Sequence, residues 1–359
     1  MSRPTTLNID IAALKHNLQQ VRKYAPNSSI IAMVKANAYG HGIITAAKAL
    51  TDADAFGVAS LEEGMILREA GITQPIVLME GLFSIDELSL AQKYQFTLVI
   101  HHLPHLEMLE SVKIHEPFHV WLKINTGMHR LGFEPHEVDH VYKRLQSLSC
   151  VHQPIGLMTH FAEADHEDTD ATAHQRDLFL KLVANYNGPK SLANSAAILS
   201  NPDTHADWVR PGLMLYGAST FLDKTGLDFQ LKPVMTLWSR LIAITPVKAG
   251  GKVGYGGVWT APLDMQVGIV GVGYGDGYPQ LAENGTPVLI NGVECPLVGR
   301  VSMDMIAVDL RPLKNAKVGD KVILWGEGLP VEYVARSSKT SPYEILTRMT
   351  PRPKLQLSQ

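Results

Sequence analysis

Apolar and polar positions alternate along the first two thirds of the chain in two rhythms. Short unbroken apolar runs read as buried strands, and stretches with apolar residues three and four apart read as helices. Ile11, Leu14, Leu18 and Val21 share one face of a helix over residues 10–24, with Asp10 as its N-cap. Strands are then expected at 30–34, 55–59, 76–79, 97–100, 119–124, 154–159, 191–193 and 207–209. Helices are expected between them at 43–50, 61–70, 85–94, 103–111, 135–147, 171–186 and 196–199. Eight strand–helix units over about 200 residues are what a (β/α)8 barrel requires. A doubly wound open sheet is the competing architecture, usually with fewer strands.

After about Leu231 the pattern changes to Val/Ile runs broken by glycine and proline. Strands are expected at 239–247, 266–271, 287–290, 294–299, 305–310 and 321–324, with a short helix over 341–349. The fold class is therefore α/β. It comprises an N-terminal (β/α)8 TIM-type barrel over residues 1–230 and a C-terminal mostly-β domain over 231–359.

Composition narrows the function classes. The chain is 45% hydrophobic and 19% charged with a net charge of −3, so no strong field favours nucleic acid or an anionic membrane. No apolar run reaches membrane-spanning length and the N-terminus has no signal-like apolar core, so a cytoplasmic protein is expected. Cys150 and Cys295 suggest neither a disulfide framework nor a zinc site. The stretch Asp165-His166-Glu167-Asp168 lacks helical ligand spacing and reads as a solvated acidic loop, so no metal is expected.

The chemistry concentrates where barrel strands end. Lys35 closes the first apolar run, Ile31-Ala32-Met33-Val34. It is either a lysine that snorkels out at a strand end or a desolvated nucleophile or base, such as a Schiff-base lysine. Lys123 lies in the fifth strand, His160 follows the sixth, Asn194 and Ser195 end the seventh, and Arg210 ends the eighth; Arg130 lies in the loop after the fifth. Barrel strands direct their C-terminal ends to one mouth, where active sites sit. The Arg210-Pro211-Gly212-Leu213 turn offers backbone N–H groups beside a basic residue, either as a phosphate cradle or as a plain chain reversal. A Schiff-base lysine facing a phosphate cradle suggests pyridoxal phosphate.

Seven stretches carry a resemblance to a known family. They are Val34-Lys35-Ala36-Asn37-Ala38-Tyr39-Gly40-His41-Gly42, Asn125-Thr126-Gly127-Met128-His129-Arg130-Leu131-Gly132, Thr159-His160-Phe161-Ala162, Val209-Arg210-Pro211-Gly212-Leu213-Met214-Leu215-Tyr216-Gly217, Val253-Gly254-Tyr255-Gly256-Gly257, Gly273-Tyr274-Gly275-Asp276-Gly277-Tyr278-Pro279 and Gly299-Arg300-Val301-Ser302-Met303-Asp304-Met305. In order and over nearly the whole length, the chain resembles the bacterial pyridoxal-phosphate-dependent alanine racemases.

The resemblance implies a homodimer with shared active sites that interconverts L- and D-alanine by two-base proton transfer and supplies D-alanine for peptidoglycan. Lys35 would hold the cofactor and act as one base; Tyr255, reaching in from the partner subunit, would be the other. Tyr39, Ser195, Gly212, Leu213 and Tyr343 match phosphate contacts, and Asn194 lies beside them. His160 would pack against the cofactor ring, and Arg210 would face its pyridine nitrogen. Arg130 and Met303 would bind substrate. Lys123 matches a carbamylated lysine, with an unmodified lysine beside an added anion as the alternative. Asp165, Tyr274 and Arg300 match the entrance. Competing readings are a serine or broad-specificity racemase, a barrel-type amino-acid decarboxylase, and a single-domain pyridoxal-phosphate-binding protein without catalysis.

Overall fold

The computed structural model describes residues 3–111, 116–166 and 169–359. The chain divides into two compact units, one formed by residues 17–215 and the other by residues 1–16 together with 216–359.

The first unit is a closed parallel barrel of eight strands. Its strands follow β1 (Thr6–Asp10), which belongs to the other unit. They are β2 (Ser29–Met33), β3 (Ala55–Val58), β4 (Ile76–Leu78), β5 (Phe96–Ile100), β6 (Val120–Lys123), β7 (Gly156–Met158), β8 (Lys190–Ser191) and β9 (Trp208–Val209). The barrel closes where Ser29 of β2 pairs with Trp208 of β9. Almost every strand residue is buried, because helices cover the outside and side chains fill the inside; this is why the strands are continuous apolar runs without alternation. All eight expected strands match their observed positions to within two residues at each end, although β8 and β9 are only two residues long.

The second unit is an eight-stranded sheet. Its order is Met265–Val270, Ile306–Asp309, Val293–Val298, Pro287–Ile290, Lys321–Trp325, β10 (Met235–Val247), β1 and Lys354–Ser358. β10 is long enough to serve two neighbourhoods, pairing with β1 and Lys321–Trp325 at one end and with Met265–Val270 at the other, with a bulge between Leu241 and Ala243.

The unit boundary differs from the 230/231 division expected from texture. β1 pairs antiparallel with β10 and parallel with Lys354–Ser358, so the N-terminal strand joins the β unit, and residues 216–230 go with it. Helix Ile11–Tyr24 then leads into the barrel, with Asp10 capping it: its Oδ1 accepts from the Ala13 N–H at 2.8 Å. No helix among the described residues is long and apolar enough to cross a membrane.

Candidate active site

The C-terminal ends of the barrel strands carry the polar residues singled out above. β2 continues to Val34, whose N–H bonds the Gly57 carbonyl at 2.9 Å, and Lys35 follows, half-buried. The chain then turns the wrong way. Ala36, Asn37, Ala38 and Tyr39 all have φ between 52° and 54°, making one left-handed helical turn. For L-residues this conformation costs roughly 1–2 kcal/mol each.

Local bonds hold the turn. Glu63 accepts the Ala36 N–H at 2.7 Å and the Ala59 N–H at 2.9 Å. Asn37 Oδ1 accepts the Ile43 N–H at 2.9 Å. The buried His41 ring reaches the Tyr39 and Ala38 carbonyls through Nδ1 at 2.9 and 3.0 Å. Burial lowers the His41 pKa to about 4, so the ring is neutral and donates from Nδ1. Backbone strain held in place this firmly is typical of functional sites.

Arg210 follows β9 and is buried. Its Nη1 donates to Ser191 Oγ at 2.6 Å; its Nη2 donates to the Thr159 carbonyl at 2.6 Å, the Leu192 carbonyl at 3.1 Å and His160 Nδ1 at 3.2 Å. Nε is buried without a partner. Burial lowers the Arg210 pKa to about 10, which leaves it protonated at neutral pH. His160 is pushed well below its usual value, first by burial and then by Arg210, Lys123, Arg130 and Lys35. Lys123 is lowered to about 7 by burial, then by Arg210, Arg130 and Lys35, with Glu80 acting in the opposite direction. The mouth thus gathers four cationic side chains around one imidazole.

The loop after β6 presents Arg130, which is exposed. Asn125 organises the loop: its Oδ1 accepts the Gly127 and His129 N–H groups at 3.1 and 3.0 Å, and its Nδ2 donates to Glu134 Oε1 at 2.6 Å. Gly132, with φ 126°, lies so close to the chain that an added Cβ would come 2.6 Å from the Asn125 nitrogen. Thr126 and Thr159 bond hydroxyl to hydroxyl at 2.7 Å, tying this loop to the end of β7. Gln175 donates to Thr126 Oγ1 and to the His160 carbonyl at 3.2 and 3.1 Å.

Ser195 is buried, and its Oγ accepts the Gly212 N–H at 2.8 Å and the Met214 N–H at 3.3 Å. Asn194 caps helix Ser195–Ser200, with Oδ1 accepting from the Ala197 N–H at 3.0 Å. Gly212 leaves room for the tip of Tyr39: an added Cβ would collide with the Tyr39 hydroxyl and come 3.2 Å from its Cζ. Asp165 is half-exposed in a turn, and its neighbours Glu167 and Asp168 lie outside the described residues.

The remaining expected site residues belong to the β unit. Tyr255 is 72% exposed, on a turn whose Gly254 and Gly256 pack beside Arg300. The Tyr274 and Gly275 N–H groups bond the carbonyls of Ser302 and Met303 at 3.1 and 2.9 Å, and Met303 is exposed. Tyr255, Tyr274, Arg300 and Met303 thus lie on loops pinned to one another. Tyr343 is partly exposed on helix Pro342–Thr347.

Glu63, Thr159, Ser191 and Gln175 were not expected at the site. Each reaches it across 15 or more residues of sequence, and of the four only Thr159 lies in one of the stretches that carry the family resemblance.

A closed barrel with a lysine ending its first strand and a cation-rich mouth defines a (β/α)8-barrel enzyme. Comparison with known proteins makes the class specific. Residues 9–220 match the family model of the alanine racemase N-terminal domain, and residues 234–357 that of the alanine racemase C-terminal domain. The chain belongs to the alanine racemase family. It is 51% identical over 348 residues to the biosynthetic alanine racemase of Escherichia coli O6:H1, spanning 97% of each chain. The crystal structure of biosynthetic alanine racemase from Pseudomonas aeruginosa superposes with a TM-score of 0.97 at 43% identity, covering 99% of this chain and all of that one. Alanine racemase from Acinetobacter baumannii gives 0.94 at 44% identity, with the same coverage.

Proposed function

We propose that this chain is an alanine racemase that interconverts L- and D-alanine with pyridoxal phosphate, as a cytoplasmic homodimer, and provides D-alanine for peptidoglycan. The observation that carries the reading is the cation cluster. Lys35, Lys123, Arg130 and Arg210 all act on His160, while the Glu80 carboxylate acts on Lys123 in the opposite direction. Such a cluster calls for anions. A phosphorylated cofactor and an amino-acid carboxylate supply them.

The residues fit the cofactor. Arg210 Nε is a buried donor with no partner, and the Ser195 hydroxyl, which accepts the Gly212 and Met214 N–H groups, keeps its own proton to donate. Lys35 would hold the aldehyde carbon of the cofactor. Tyr39, Ser195, Gly212, Leu213 and Tyr343 would hold its phosphate, with Asn194 keeping the Ser195 helix in place. When bound, the cofactor supplies the electron sink that acidifies Cα of alanine.

The chain's own groups do the rest. Lys35 and Tyr255 hold and move the proton on opposite faces of Cα. Arg210 would face the ring nitrogen, and it keeps its own protons, which bond Ser191, Thr159, Leu192 and His160. It would therefore give no proton to that nitrogen, which would leave the electron sink shallow and limit side reactions. Arg130 binds the carboxylate, and Met303 adds a backbone contact. Lys123, with a pKa of about 7, is divided between cation and neutral amine at physiological pH, and the neutral form takes up carbon dioxide. As a carbamate it becomes an anion that orients Arg130.

Tyr255 acts on the partner's barrel. Its 72% exposure in the single chain supports a role completed by a second copy, with the β unit delivering the base and Asp165, Tyr274 and Arg300 forming the entrance. The test is racemisation assayed over a panel of amino acids. Fast turnover of alanine with slow turnover of serine supports the reading. Equal rates across the panel favour the broad-specificity alternative, and no turnover overturns both.

A further inference from the structure

We propose that His101, His102 and His105 form a binding site for a divalent transition-metal ion of the zinc class, at the end of β5. His101 and His102 directly follow β5, and His105 lies in the first turn of helix Leu103–Ser111. Each offers one nitrogen, and the three nitrogens lie within 4.8 Å of one another. Among the described residues, no other trio of His, Cys, Asp or Glu side chains meets this condition.

The rings are crowded in a way that apolar packing does not require. Their centroids are 3.9 to 4.6 Å apart, with His101 and His105 buried and His102 exposed. Two of them are oriented from behind. His101 Nε2 bonds the Glu80 carbonyl and His105 Nε2 the Leu82 carbonyl, each at 2.9 Å. A ring nitrogen that donates to a carbonyl leaves the other as a lone pair, the usual way a metal-ligating histidine is held. His105 Nδ1 is buried without a hydrogen-bond partner; the Val99 carbonyl also faces this ring but does not meet hydrogen-bond geometry.

A buried acceptor with nothing to accept is a cost that a bound cation removes. Gly81, at φ 73°, makes room for the ring, since an added Cβ would come 2.8 Å from Nδ1. Three neutral imidazoles and no carboxylate select zinc, nickel, cobalt or copper over magnesium or calcium. The exposed His102 gives the ion its way in and leaves a position open for water. The bound ion would clamp the end of β5 to the start of the following helix.

Equilibrium dialysis of the cofactor-loaded full chain against zinc tests this. We expect one zinc per chain and no magnesium in parallel. His102→Ala removes an exposed ligand outside the catalytic machinery and should leave racemisation unchanged. It should weaken zinc binding by roughly tenfold or more. Zinc should raise the melting temperature of the wild-type chain and leave that of His102→Ala unmoved. No zinc retained by the wild type, or undiminished affinity in His102→Ala, overturns the site. His105→Gln, which keeps the volume and supplies a polar group, must show the same loss of zinc; retention there also overturns it.

Discussion

Arg210 donates from Nη2 to His160 Nδ1 at 3.2 Å, and the direction of that bond sets the chemistry of both residues. A guanidinium has no acceptor, so Nδ1 must be the bare nitrogen of a neutral imidazole. Burial and the surrounding cations hold His160 in that form. Arg210→Lys keeps the charge and loses the fork that reaches Ser191, Thr159, Leu192 and His160 together. Losing two buried hydrogen bonds should lower unfolding stability by about 2–4 kcal/mol and reduce turnover. Chemical denaturation and steady-state kinetics measure the two effects; wild-type stability would remove the claim that the fork organises the mouth.

Lys35→Ala should abolish racemisation and the visible absorbance of the lysine-bound cofactor. It is half-buried at a strand end and has little packing to lose, so the melting temperature of the apo-protein should hardly change. A spectrum identical to that of the wild type would sink the assignment of Lys35 as the cofactor lysine.

Tyr255→Phe tests the second base with folding held constant. The ring is 72% exposed, and an exposed substitution changes stability by no more than about 0.5 kcal/mol. Removing a general acid–base should cost roughly a hundredfold or more. Its effect on proton abstraction should differ between L- and D-alanine, which solvent isotope exchange in each direction reveals. Small, equal effects would assign the chemistry elsewhere.

Glu63→Gln addresses the left-handed turn. Glu63 uses both carboxylate oxygens, on the Ala36 and Ala59 N–H groups, and the amide can keep only one of these acceptor contacts. The loss should be about 1–3 kcal/mol. Because the bond is to the residue after Lys35, cofactor retention during dialysis should fall along with stability. Unaltered retention would separate the turn from cofactor binding.

His41 predicts acid sensitivity. Its folded pKa of about 4 lies below the unfolded value of 6.5, so the unfolded chain takes up a proton first as pH falls. The stabilisation is complete above pH 6.5 and is lost between there and pH 4. Its size is up to about 3 kcal/mol. Denaturation midpoints of wild type and His41→Asn across this window should converge toward the acid end; parallel curves would contradict the burial argument.

Much of this was legible in the chain. Barrel strands such as Phe96–Ile100 announce themselves because burial on both faces demands an apolar run. Site residues at strand ends follow from the same counting. Other features leave no such mark. Lys354–Ser358 is mostly exposed and half polar, and nothing local says it is a strand; its partner β1 does. Helix Val331–Ser337 follows a strand too closely for its rhythm to stand out. Ala36 and Ala38 show no preference for positive φ, so the left-handed turn is imposed from outside by Glu63 and His41. His101, His102 and His105 lie close in sequence, yet only the fold brings their three nitrogens within 4.8 Å.

The pairing of Thr6–Asp10 with Met235–Val247 and Lys354–Ser358 has a consequence for biosynthesis. Translation proceeds from the N-terminus at a pace that makes a chain of this length a matter of tens of seconds. During that time the first strand is outside the ribosome without either neighbour. The barrel has every strand it needs by Val209 and can close while synthesis continues. The β unit must wait for Lys354–Ser358 to leave the exit tunnel. The nascent chain therefore carries a finished barrel while its first strand is still an orphan, and without Lys354–Ser358 one side of that strand would stay bare.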